Sequence, residues 1–168
     1  MKNDAPTYAQ RGLRNANPCN IRRTLDQWRG MRPDQTDASF VQFVDFAHGF
    51  RAFFVLMTTY AYSYHLSIID DIIRRYAPPT ENATYAYCKK VHELLGSQDA
   101  RVAPPIDEAH APWWCSFALA VASVENGVAA IAFNALVLGV CDGWKLFARG
   151  CGISTRHAPT PISLRSLT

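Results

Sequence analysis

The feature that most constrains this chain is a charge-free apolar stretch from Trp113 to Val124. It is closed by Glu125-Asn126-Gly127 and followed by a second apolar run from Ala129 to Phe147. Neither uninterrupted apolar piece reaches the roughly 18–20 residues that a membrane span needs. Two consecutive buried helices are therefore expected, and no membrane partner. In a chain of 168 residues the remainder must wrap around them, which predicts one compact domain. With 49% hydrophobic and 18% charged residues, a full core can form.

Helical periodicity recurs upstream. Phe50, Phe53, Phe54, Met57 and Tyr60 place one apolar face on a helix over 47–61. Ser67 is expected to cap a second helix with an Ile68, Ile69, Ile72, Ile73 stripe, stopped by Pro78-Pro79. Thr80 is expected to cap a third, with Tyr85, Cys88, Val91, His92 and Leu95 inward and Gly96 as its stop. Residues 97–112 read as a polar, proline-bearing connection. The fold class is thus mainly α, with about five helices. Ile21–Trp28 and Ser39–Val44 are expected to add a small β-element near residues 20–45. The domain is placed at 11–147, with 1–10 and 148–168 as flexible ends.

Three segments carry chemistry. Arg11-Gly12-Leu13-Arg14-Asn15-Ala16-Asn17-Pro18-Cys19-Asn20-Ile21 crowds asparagines around a proline. That pattern makes a stabilised turn, or an amide-lined cleft floor in which Asn17 and Asn20 offer both donors and acceptors to a sugar. Arg11 and Arg14 would then hold carboxylates. In Pro78-Pro79-Thr80-Glu81-Asn82-Ala83-Thr84-Tyr85-Ala86-Tyr87, Glu81 is either a helix-start carboxylate or, with Asn82, part of a cleft rim. Glu125 ends a helix with no charge in its preceding dozen residues. Desolvation and the negative end of the helix dipole would both raise its pKa, as a general acid needs. The alternative is a helix-end glutamate turned to water beside a glycine stop.

The net charge of +3 is too small by itself to argue for nucleic acid. Arg11, Arg14, Arg22, Arg23, Arg29 and Arg32 around Trp28 form a basic run, but Asp26, Asp34 and Asp37 interrupt it, so no nucleic-acid partner is expected. Five cysteines without a CxxC pair argue against a disulfide framework and against a zinc site. No metal or organic cofactor is expected. The start, Met1 to Gly12, lacks the apolar segment of a secretory signal, so synthesis in the cytoplasm is expected.

Taken in order, these segments resemble a family of phage and prophage proteins in the lysozyme-like superfamily. Some members are virion structural proteins, and others are lytic transglycosylases or lysozymes. The resemblance rests on the Arg11–Ile21 opening, Trp28-Arg29-Gly30, and Asp37, Phe40 and Phe43. It continues through Gly49-Phe50-Arg51-Ala52, the block from Ile72 to Thr84, and Glu125-Asn126-Gly127. It covers roughly residues 11–147. Ala16 and Cys19 stand where the pattern has Asn and Gly. In related enzymes the catalytic Glu ends a helix just before the Asn-Pro block, yet no Glu precedes Arg11 here. The expectation is that the order of elements is permuted and that Glu125 supplies the acid from the C-terminal part, with Glu81 as its rival.

What the resemblance implies is cleavage of the bond between N-acetylmuramic acid and N-acetylglucosamine in peptidoglycan glycan strands. Arg11, Arg14, Asn17, Asn20, Trp28, Asn82, Tyr87 and Asn126 would bind substrate. A lysozyme-type hydrolysis would want a second carboxylate, with Asp37 and Glu81 available. The alternative is a non-catalytic virion or wall-binding protein with other virion proteins as partners. Either way the protein would act at the cell wall.

Overall fold

The computed structural model describes residues 8–96, 101–127 and 130–155. It is mainly helical, in the order α1 (Arg11–Arg14), α2 (Phe46–Tyr62), α3 (Ile69–Tyr76), α4 (Thr84–Leu95), α5 (Ala111–Asn126) and α6 (Ala130–Gly150). Helix α5, charge-free up to Glu125, is central and touches α1, α2, α4 and α6. Its residues from Trp114 to Ser123 are all buried, which is why the sequence shows no polar face there. Gly127, left-handed at φ 56°, ends it. Asp45 starts α2 by accepting a hydrogen bond from the His48 amide at 2.9 Å. Phe53, Phe54, Phe117, Trp144 and Phe147 then lock α2, α5 and α6 together through tilted and edge-on ring contacts.

Helix α6 lies directly on α2 because two glycines one turn apart remove its side chains at the contact. A Cβ on Gly139 would stand 2.7 Å from Phe46 Cβ. One on Gly143 would stand 2.7 Å from Phe50 Cβ and 2.8 Å from the Ala47 carbonyl oxygen.

Several sequence expectations are corrected. The five expected helices all form, and among the described residues they are joined by an unforeseen single turn at Arg11–Arg14. The β-element reduces to isolated bridges, Arg22 to Phe40 and Met31 to Phe43, with no named strand among the described residues. Side chains take the place of a ladder there. Gln42 Oε1 accepts from the Thr36 and Asp37 amides, while Arg32 donates to the Phe43 and Arg14 carbonyls. Ser67 and Thr80 cap nothing: α3 follows Ile68 and α4 follows Ala83, neither with a side-chain cap. Pro78 turns the chain first, its carbonyl accepting from the Glu81 and Asn82 amides. The later start shifts the inward face of α4 to Thr84, Tyr87, Cys88, Val91 and Leu94, and leaves Tyr85 86% exposed. Helix α6 runs past Phe147, with Ala148 buried. Tyr8 packs on Phe46. Residues 1–7, 97–100 and 156–168 lie outside the described residues, and with them the rest of the predicted flexible ends.

One carboxylate organises the irregular segment. Asp37, with its side chain only 9% exposed, receives Arg11 bidentately at 2.6 and 2.7 Å. It also accepts from Asn15 Nδ2 at 2.8 Å and from the Ser39 and Phe40 amides. The Arg11 hydrogen bond, followed by those of Asn15 and the two amides, holds its carboxyl well below the usual carboxylate range despite desolvation. Arg11 additionally lies over the Phe40 ring at 4.7 Å.

Two predictions follow from this packing. Gly143→Ala should destabilise the protein by about 2 kcal/mol, the cost of overpacking a close helix contact, measured as a lowered urea midpoint at unchanged slope. Because the folded pKa of Asp37 is depressed, its stabilisation is present above the unfolded value of about 3.9 and is lost as pH falls below it. Asp37→Asn should therefore cost about 2 kcal/mol at neutral pH, as expected for lost charge-assisted hydrogen bonds. The gap to wild type should close on acidification, which urea melts at a series of pH values will measure.

Candidate functional site

Glu125 lies in the last turn of α5, half-buried, where that helix meets the asparagine turn. Asn126, the next residue, fixes the junction: its Nδ2 donates to the Pro18 carbonyl at 2.7 Å and to the Ala122 carbonyl at 2.8 Å. Asn17 shapes the turn from within. It is fully buried, its Nδ2 donates to the Ile21 and Val41 carbonyls, and its Oδ1 accepts from the Ile21 amide, all at 2.9 Å. Asn20 then adopts the left-handed conformation at φ 50°, which asparagine tolerates better than most residues. This aims its side chain at the acid, and Nδ2 donates to Glu125 Oε2 at 2.8 Å. Ala16 is also left-handed, at φ 49°. Asparagine would suit that backbone better than alanine does.

The other oxygen of Glu125 is held from α4. The Tyr87 hydroxyl donates to Oε1 at 2.9 Å. Burial, reinforced by the charge of Glu125, pushes the Tyr87 phenol well above its ordinary pKa, so it remains a donor. Tyr76 is likewise raised by burial and donates to the Cys19 carbonyl, closing the wall behind the turn. Gly12 explains itself here. A Cβ on it would stand 2.6 Å from both Asn20 Oδ1 and Asn126 Oδ1.

Two concavities meet at Glu125 and Asn82. One, of about 350 Å³, is lined by Asn20, Arg22, Asp26, Trp28, Tyr60, Arg75, Glu81, Asn82 and Glu125 among others. The second, of about 330 Å³, is formed by Asn82, Ala83, Ala86, Tyr87, Val124 and Glu125. Trp28, Tyr60 and Arg75 of the first also line a neighbouring third, of about 850 Å³. The result is a trough with Glu125 on its floor.

The structure thus brings together Asn20, Trp28, Glu81, Asn82, Tyr87 and Glu125 from segments far apart in sequence. It does not bring in the rest. Asn17 and Asn126 use their amide nitrogens on the backbone and line none of these cavities. Arg11 is bound to Asp37, and exposed Arg14 donates to the Ala9 carbonyl. Asp37, the expected second carboxylate, is saturated by its own partners away from the trough. Glu81 does line it, exposed and paired with Arg22. Asp26, Tyr60 and Arg75 also line it and were missed. Tyr60 was assigned to the core by its helical spacing, and nothing in the sequence separates its ring edge from its buried body.

No known protein family's profile matches the chain. Among the described residues no helix is long and apolar enough to cross a membrane. The chain is similar to Protein P5 of Pseudoalteromonas phage PM2, with 42% identity over 91 residues, covering 52% of this chain and 57% of that protein. The chain therefore spans little more than half the length of that phage protein.

Proposed function

We propose that the protein cleaves peptidoglycan glycan strands between N-acetylmuramic acid and N-acetylglucosamine, with Glu125 as the single acid and base of a lytic transglycosylase. The observation that carries this reading is the position of Glu125: on the floor of an open trough, gripped on both oxygens, at a helix end that abuts an asparagine turn. That neighbourhood matches the helix-end Glu and Asn-Pro block of the family the sequence resembles, with the segments in the opposite order.

In the reaction, the Glu125 carboxyl gives its proton to the glycosidic oxygen as the C1–O bond of the muramyl residue breaks. The carboxylate left behind then removes the proton of the muramyl C6 hydroxyl as that oxygen bonds to C1. A 1,6-anhydro ring forms, Glu125 regains its proton and no water is consumed. The surroundings suit both states of the acid. The carboxylate accepts from Asn20 Nδ2 and Tyr87 Oη. If the Asn20 carboxamide turns over, Oδ1 faces Glu125 and accepts from the acid O–H. Its Nδ2 then points toward Asn126 Oδ1, which is buried without a partner, as is Asn20 Oδ1 itself. Gly12 leaves room for this exchange. The trough offers carboxamides at Asn20 and Asn82 for N-acetyl and hydroxyl groups, and Trp28 as an apolar wall.

A second reading, a virion component with this fold and no turnover, is favoured by the phage relative. Incubation of purified sacculi with the protein, followed by mass spectrometry of the released muropeptides, separates the two. Anhydro-muramyl ends are expected; reducing ends would make the protein a hydrolase, and no release would leave the structural reading. Glu125→Gln should lower the rate at least about a hundredfold, the usual contribution of a general acid, without lowering the melting temperature. Glu81→Gln should keep substantial activity. The reverse pattern would move the acid to Glu81.

A further inference from the structure

The third cavity of the trough has a composition unlike the other two. Arg29, Arg51 and Arg75 line it together, and Asp26 is the only carboxylate on its wall. Asp26 is exposed and engaged by the Thr24 hydroxyl at 2.7 Å. Among the described residues none of the three arginines pairs with a carboxylate, whereas Arg11, Arg22 and Arg74 all do. Arg51 rises from α2 and is half-buried, and its Nε is buried without a hydrogen-bond partner. Burial first, and then the charge of Arg29, lower its pKa, the direction expected of a half-buried guanidinium beside a like charge. Arg75 is stacked 3.4 Å over the Tyr64 ring, which fixes the plane of its guanidinium. Trp28, shared with the cavity that holds Glu125, has its Nε1 buried without a partner as well.

A cluster of guanidinium groups of this kind suits a bidentate anionic ligand. Guanidinium groups recognise carboxylates in that way, and a buried donor left unpaired is costly. The cavity shares Trp28, Tyr60 and Arg75 with the one that Glu125 lines, so the two lie side by side. A muramyl residue differs from its N-acetylglucosamine neighbours by an acidic lactyl arm and the peptide attached to it. Resting on the glycan-cleaving reading above, we infer that the Arg29–Arg51–Arg75 cavity is a carboxylate subsite. It seats the acidic substituent of a muramyl residue and sets which sugar of the strand lies over Glu125.

Calorimetric titration of the full chain with three ligands that lack the scissile bond tests this. They are N-acetylglucosaminyl-N-acetylmuramyl peptide, the same disaccharide with its peptide removed and its lactyl carboxylate free, and neutral chitobiose. Arg51→Gln and Arg75→Gln should each weaken the acidic ligands about tenfold, the loss expected for one charge-assisted hydrogen bond, and leave chitobiose unchanged. Arg149→Gln, exposed at the end of α6, should change nothing and controls for net charge. Loss confined to the peptide-bearing ligand assigns the stem carboxylates, and loss with the stripped ligand assigns the lactyl arm. Unchanged affinity for both acidic ligands overturns the subsite, as does an equal loss for chitobiose. If wild type binds none of the three, the glycan reading itself fails. Citrate is then the probe: binding that disappears in Arg51→Gln upholds an anion site for another acid, and no citrate binding overturns it.

Discussion

The Asn126 carboxamide, donating at once to Pro18 and to its own helix at Ala122, is the joint on which the site depends. It ties the C-terminal end of α5 to a turn more than a hundred residues earlier in the chain. Each side of the joint is rigid for its own reasons. The helix is buried along nearly its whole length, and the turn is threaded by the three hydrogen bonds of Asn17. With both sides fixed, Asn20 and Glu125 face each other without needing a ligand to assemble them, which is the preorganisation that electrostatic catalysis requires.

The asparagines and arginines around the site divide into two kinds of work, and the sequence does not mark which is which. Asn15, Asn17 and Asn126 satisfy backbone or structural carboxylate groups, while Asn20 and Asn82 reach the trough. Arg11 anchors Asp37, while half-buried Arg51 and exposed Arg75, set in helices whose apolar stripes attract attention first, line the neighbouring cavity. A carboxamide has the same donors and acceptors in either task, so only the backbone conformation separates them. The left-handed φ of Asn20 is such a signal, and it becomes visible only once the turn has folded.

Long-period features were the readable ones. The apolar runs around Glu125 and the phenylalanine stripe of α2 predict buried helices because burial demands many residues in register. The helix-end position of Glu125 follows directly, with Gly127 beside it. Short elements were not readable in the same way. Residues 20–45 have strand-like composition, yet Gln42, Arg32 and Asp37 satisfy the backbone groups that a partner strand would have taken. Ser67 and Thr80 look like caps, but the turn at Pro78 and the residue-level start of α4 are decided by tertiary fit. The face of α4 that carries Tyr87 to Glu125 depends on that start, so the second anchor of the acid could not be placed from spacing alone.

The meeting of two concavities at Glu125 and Asn82 bears on how a polymer would engage the protein. A blind pocket accepts only a chain terminus, and its products shorten one unit at a time. A floor residue with open space on either side accepts the middle of a thread. For the proposed reaction, this makes every accessible linkage in a mesh an equal target, so a few scissions would suffice to open a hole. An enzyme working in this way would need few copies and little time, since a breach calls for severed crossings and not for digestion of the wall.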